Sequence, residues 1–151
     1  MNILAIDPGT KTGWATLYKG QIESGTEDFS VQRGESKGMR HFRFNKWLTD
    51  EMLMVQFDLI VYEMSHHKSV EGKKVVYGMI TRIEEICALR DIEYTNIPAP
   101  MLKKYSTGSG RASKEQMIEA ARRKFPDQEI ETDDQADALL ILGWSREKFK
   151  K

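Results

Sequence analysis

The sequence predicts an α/β protein: a single domain with a mixed central sheet flanked by helices. Three observations carry this. Short apolar runs of strand length recur at Ile3, Asp58 and Ile92. Two polar–apolar stretches near the start are joined by a tight turn, as in an antiparallel hairpin. Strands then alternate with segments of helical periodicity, and the chain closes on helices alone. Hairpin-linked strands followed by strand–helix alternation imply a sheet with both pairing directions and helices on both faces.

Taken in order, Ile3–Ile6 is an apolar run without polar alternation, the mark of a strand buried on both faces. Gly13–Tyr18 and Gln21–Phe29 read as strands joined by the Lys19-Gly20 turn. Arg33–Lys37 is a polar break. From about Ser36 to Gln56, Phe44, Trp47, Leu48, Met52 and Val55 recur at helical spacing. Asp58–Glu63 is a second core strand that ends on an acid. Met64–Lys74 reads as a polar loop, and Val75, Met79, Ile83, Ile86 and Arg90 mark a helix. Ile92–Ile97 is a strand closed by Pro98 and Pro100. Lys104–Lys114, "KYSTGSGRASK", reads as a glycine-rich basic loop. Ser113 with Gln116 forms a capping box that opens a helix to about Phe125. Thr132 with Gln135 repeats the signature and opens a last helix over about Asp133–Glu147.

A chain of 151 residues is long enough to bury a core without staples. Its one cysteine, Cys87, excludes an internal disulfide and a cysteine-based zinc site, and its apolar surroundings predict an inert core thiol. Ile3–Ile6 is too short for a secretory signal or a membrane span, so a cytoplasmic protein with no membrane partner is expected. Lys plus Arg equals Asp plus Glu, at 23 each, which excludes a bulk polycation. The charges are nonetheless segregated. Residues 101–124 hold seven Lys or Arg against two Glu, and residues 125–137 hold six Asp or Glu and no base. An acidic centre beside a basic stretch suits cations and polyanions together.

Asp7 and Glu63 each end a core strand, where an unpaired buried charge is costly. If the two strands are neighbours, the carboxylates meet at one edge of the sheet, where open α/β sheets bind ligands. The last helix adds Asp133, Asp134 and Asp137. Both Asp133 and Asp134 share a face with Asp137, so periodicity leaves the choice between them open. Ala136, Leu139, Leu140 and Gly143 form an apolar seam behind them. Four gathered carboxylates raise one another's pKa values, and divalent cations relieve the repulsion. Hard Mg²⁺ or Mn²⁺ prefers such oxygen donors. Two ions about 3.5–4 Å apart clamp the attacking and leaving oxygens of an in-line phosphoryl displacement. Lys103, Lys104, Arg111 and Lys114 are placed to neutralise phosphates. Trp47, His66, His67 and Tyr105 are candidate base contacts, with Trp47 on the apolar stripe of its helix.

The ordered set "ILAIDPGTKTGWA", "VYE", "KKYSTGSGRASK" and "DDQADALLI" resembles the motifs of RuvC-type Holliday junction resolvases across nearly the whole chain. The resemblance implies a ribonuclease H-like fold for residues 1–151 and a homodimer that cuts four-way DNA junctions symmetrically. It implies two Mg²⁺ or Mn²⁺ ions held by Asp7, Glu63, Asp134 and Asp137, with Lys103 and Lys114 as basic partners. Where the family often carries a base-stacking aromatic, three residues after the strand-end glutamate, this chain has His66. Several phage-type relatives are altered in the same way, so a phage-type member is compatible with the motif.

The expected activity is therefore that of a metal-dependent, structure-selective DNA endonuclease (a crossover junction endodeoxyribonuclease of DNA recombination and repair). Two other readings stand beside it. One is a non-catalytic branched-DNA-binding relative on the same fold, which would have no use for a full set of acids. The other is an actin- or sugar-kinase-like phosphate-binding domain, suggested by "DPGTKTG", but 151 residues cannot hold the two domains that class needs.

Overall fold

A computed structural model describes residues 1–65 and 69–150. One five-stranded sheet organises the chain, in the order β3-β2-β1-β4-β5. β1 (Ile3–Asp7), β2 (Lys11–Tyr18) and β3 (Gln21–Asp28) form an antiparallel meander. β4 (Leu59–Met64) and β5 (Glu93–Pro98) extend it in parallel from β1. The Lys19-Gly20 turn has positive φ at both residues (49° and 80°), the two-residue geometry whose twist matches the strands.

Strand alternation sorts the core into two layers. Leu4, Ile6, Ile60 and Tyr62 face α1 (Gly38–Lys46) and α2 (Val70–Arg90). Ile3, Ala5, Ala15, Leu59 and Val61 face α4 (Lys114–Lys124) and α5 (Asp133–Lys148). Period two therefore assigns Asp7 and Glu63 to the α5 face. Cys87 is buried against the sheet, and burial pushes its thiol up to about 11, as expected of an inert core cysteine. Trp47 is core as well, stacked edge-on against Phe29.

The helix expected over Ser36–Gln56 is shorter and changes pitch. α1 ends at Lys46, a π turn covers Trp47–Glu51, and a 3-10 turn covers Met52–Met54. Leu48 and Leu53 are both buried while Val55 is exposed. Their five-residue separation is a π step, so widening the turn keeps Leu53 in the core. α2 starts at Val70, inside the segment read as loop, with Ser69 accepting from the Gly72 N–H as its cap.

The largest departure is α3 (Ala99–Thr107), which occupies the first part of the supposed basic loop. Pro98 and Pro100 do end β5, but Pro also fits the first turn of a helix, where its missing N–H has no partner to lose. Gly108, at φ 88°, caps α3 in the left-handed conformation. Ser113 and Gln116 form the expected capping box at α4. At α5 only half the box forms. Thr132 caps Gln135, but the Gln135 side chain reaches back to the Glu131 N–H and across to Ser24. No helix among the described residues is long and apolar enough to cross a membrane.

Candidate metal centre and nucleic-acid interface

Register brings the two strand-end acids together. Ile6 pairs with Tyr62, so Asp7 and Glu63 follow on adjacent parallel strands. Behind them Tyr62 donates a hydrogen bond to Glu84 of α2 at 2.7 Å, which ties β4 to that helix one residue before Glu63. On the other side of Asp7, the Thr12 hydroxyl donates to the Gly9 carbonyl at 2.7 Å and fixes the β1–β2 turn.

α5 supplies the third acid because it approaches β2 very closely. Gly13 and Ala15 present almost no side chain to the helix. A Cβ on Gly13 would stand 1.9 Å from the Asp134 carbonyl oxygen. That approach seats Asp137 over the strand ends. One carboxylate oxygen each from Asp7, Glu63 and Asp137 lies within 4.8 Å of the others. Asp7 and Glu63 are only 8% and 6% exposed. Asp134 stands half-buried on the wall of the same cleft. Asp133 turns to Lys114 instead, at 3.6 Å. The apolar seam expected on α5 is buried, and between Gln135 and Ser145 only Asp137 is partly exposed.

The electrostatics follow from this crowding. Burial first, then the charges of Glu63 and Asp137, holds the Asp7 carboxyl well above the usual carboxylate range. Burial and the neighbouring Glu63, Asp133 and Asp134 push Asp137 up to about 8, against a smaller pull from Lys103. Glu63 is raised by burial and pulled back by its hydrogen bond with Asp7 and by Lys103. Asp134 is raised by burial and by Asp133, while Lys114, Lys11 and a hydrogen bond with Asp7 oppose the rise. Two buried carboxylates and a part-buried third that repel one another are a hard-oxygen donor set, and they fit Mg²⁺ or Mn²⁺.

The acids floor a cleft of about 580 Å³ whose walls include Lys11, Lys103, Lys114, Ser65 and the Pro8–Thr10 turn. Lys103 projects from α3, and Lys114 is the first residue of α4. Lys104 and Arg111 are exposed nearby but do not form the cleft wall. Tyr105 packs against the α5 core with the Lys124 ammonium 4.0 Å from its ring centre. His66 and His67 lie outside the described residues. Lys11, four residues after Asp7 in "DPGTKTG", is a cleft residue that the sequence pattern did not single out.

No protein-family model matches the sequence, and no curated protein does either. Solved structures do match. RuvC of Thermus thermophilus in complex with a Holliday junction substrate superposes with a TM-score of 0.76, covering 93% of this chain and 90% of that one at 18% identity. The fold is that of the RuvC Holliday junction resolvases. A second Thermus thermophilus RuvC structure gives a TM-score of 0.73 at 19% identity over the same shares of both chains. The yeast mitochondrial Holliday junction resolvase Ydc2 gives 0.65 at 14% identity, covering 95% of this chain and 77% of that one. The ribonuclease H-like architecture expected from the motifs is thus the observed one, a mixed sheet with helices on both faces.

Proposed function

We propose that this protein is a metal-dependent endonuclease that cuts branched DNA, four-way junctions above all, by phosphodiester hydrolysis. The observation that carries the reading is the meeting of Asp7, Glu63 and Asp137 within 4.8 Å at the floor of a cleft walled by lysines. The likeness to two resolvases, one of them bound to a Holliday junction, supplies the substrate class.

Asp7, Glu63 and Asp137, with Asp134 beside them, would hold two Mg²⁺ or Mn²⁺ ions, which supply an activated water and charge stabilisation for in-line displacement at phosphorus. The chain's own contribution is positional. β1 and β4 hold two carboxylates in register, and α5 lowers the third onto them. Lys103 stands beside Glu63 and Asp137, close enough to lower both their pKa values, and can meet charge developing on the phosphate. Lys114 holds Asp133 at the rim and is exposed for a second phosphate. Lys104 and Arg111, outside the wall, extend the basic surface along the flanking DNA. His66 would contact the branch itself. A non-catalytic DNA-binding protein gains nothing from burying mutually repelling acids, whose pKa shifts record a stability cost.

Two symmetric nicks on one junction require two active sites, so the protein would act as a twofold homodimer in the cytoplasm of a bacterium or phage-infected host. Phe42 on α1 and Leu89 on α2 are 60% and 79% exposed, which supports these helices as the interface. The test is nicking of labelled four-way, three-way and flap DNA with Mg²⁺, alongside sedimentation. Asp7→Asn should abolish cleavage while binding survives or tightens, because a negative charge near phosphate is removed. Retention of more than about a tenth of the wild-type rate would refute the assignment of Asp7.

A further inference from the structure

Lys103 stands beside Glu63 and Asp137, and Lys114, beside Asp134, is already paired with Asp133. The sheet order places β2 on one side of β1 and β4 with β5 on the other. Lys103, on the helix that follows β5, belongs to the β4 side, beside Glu63. Lys11 is the first residue of β2 and walls the same cleft from across Asp7. We propose that Lys11 is a DNA-backbone contact on the β2 rim, so that the scissile strand is held by ammonium groups on both sides of the acidic floor.

Three features of the strand support this. Alternation puts Lys11 on the face of Gly13 and Ala15, the face that α5 covers, at the start of the strand and near the first turn of α5. It is exposed and opens toward the cleft, next to Asp134. None of the ion pairs among the described residues includes it. Its cross-strand neighbour Asp28 directs Oδ1 to the Ser30 N–H and hydroxyl. Lys114, by contrast, is paired with Asp133. Lys11 stands on β2 and Lys103 on α3, the helix after β5, with β1 and β4 between those two strands, and each meets its own phosphate of one DNA strand. Two such anchors resist rotation of the strand over the acids, which one anchor cannot do.

This assignment rests on the nuclease reading above, and its test separates the two. Equilibrium binding of a labelled four-way junction is measured without divalent metal, between about 50 and 200 mM salt. The proteins are wild type, Lys11→Ala, Lys11→Arg, Lys103→Ala and the double alanine variant. One lost phosphate contact lowers the slope of log K against log salt by about 0.7–0.9, so the affinity advantage of wild type over Lys11→Ala should shrink about threefold across that range. Lys11→Arg should keep the wild-type slope. The double variant should lose the sum of the two single effects, because the contacts are independent. An unchanged slope in Lys11→Ala overturns the assignment and leaves the nuclease reading standing. A wild-type protein that neither binds nor nicks branched DNA overturns both.

Discussion

Gly13→Ala should disable the site from outside it. The added Cβ would lie 1.9 Å from the Asp134 carbonyl oxygen, 2.3 Å from its carbon and 3.0 Å from the Gln135 nitrogen. All three are backbone atoms, so no side chain can swing aside. Contacts between non-bonded heavy atoms are favourable near 3.5 Å, and the start of α5 must therefore retreat by more than about 1 Å. Gly13 does not have a positive φ, so alanine adds no backbone strain and the effect is steric alone. Overpacking of this kind costs about 1–3 kcal/mol of stability. The functional loss should be larger in consequence, because α5 carries Asp134 and Asp137 while Asp7 and Glu63 stay on the sheet. A misplacement of about 1 Å costs on the order of a hundredfold in rate, or about 2.7 kcal/mol of transition-state stabilisation. Single-turnover cleavage of a labelled four-way junction measures the rate, and thermal melting of the same preparation confirms a folded protein. Gly20→Ala is the control, since nothing lies within 4 Å of a Cβ there. It should melt slightly lower and cut normally. A Gly13→Ala protein that is folded and cuts within about threefold of wild type would refute the claim that this close approach sets the acid geometry.

Two further outcomes follow from the same cluster. Asp134→Asn should slow cleavage at least about a hundredfold and Asp133→Asn less than about tenfold, because Asp134 touches Asp7 whereas Asp133 is held by Lys114; parallel single-turnover rates in the reverse order would move the fourth acid to Asp133. In chelator, the stability held by protonated Asp137 and Asp7 should be fully present below the ordinary carboxylate range and should fall as pH rises toward about 8, since the folded state binds more protons than the unfolded one. Mg²⁺ should abolish that decline by replacing the protons, with proton release on binding, and a melting temperature in chelator that is flat or rising over this interval would contradict it.

Asp7 and Glu63 were legible because their signal is local. An apolar run that ends on an acid reports a buried strand and a charge at its mouth, and neither depends on what the strand packs against. The caps at Ser113 and Thr132 were legible for the same reason, since a cap concerns four consecutive residues. Local pattern also explains the failures. α3 was hidden because its buried positions, Leu102 and Ser106, offer only one apolar side chain. The π step between Leu48 and Leu53 was hidden because a regular period was assumed.

Only the tertiary structure decided how deep α5 sits. Periodicity puts Asp133, Asp134 and Asp137 on related faces, but it does not say which of them reaches the strand ends. That depends on how close two backbones come, and Gly13 on β2 sets the distance at the α5 N-terminus, some 120 residues away in the chain. The role of Lys11 has the same origin. As sequence it is one of 23 basic residues, and only the strand order places it across the acids from Lys103. Residue spacing encodes the face a side chain takes, whereas its neighbours and its depth are set by contacts between distant segments.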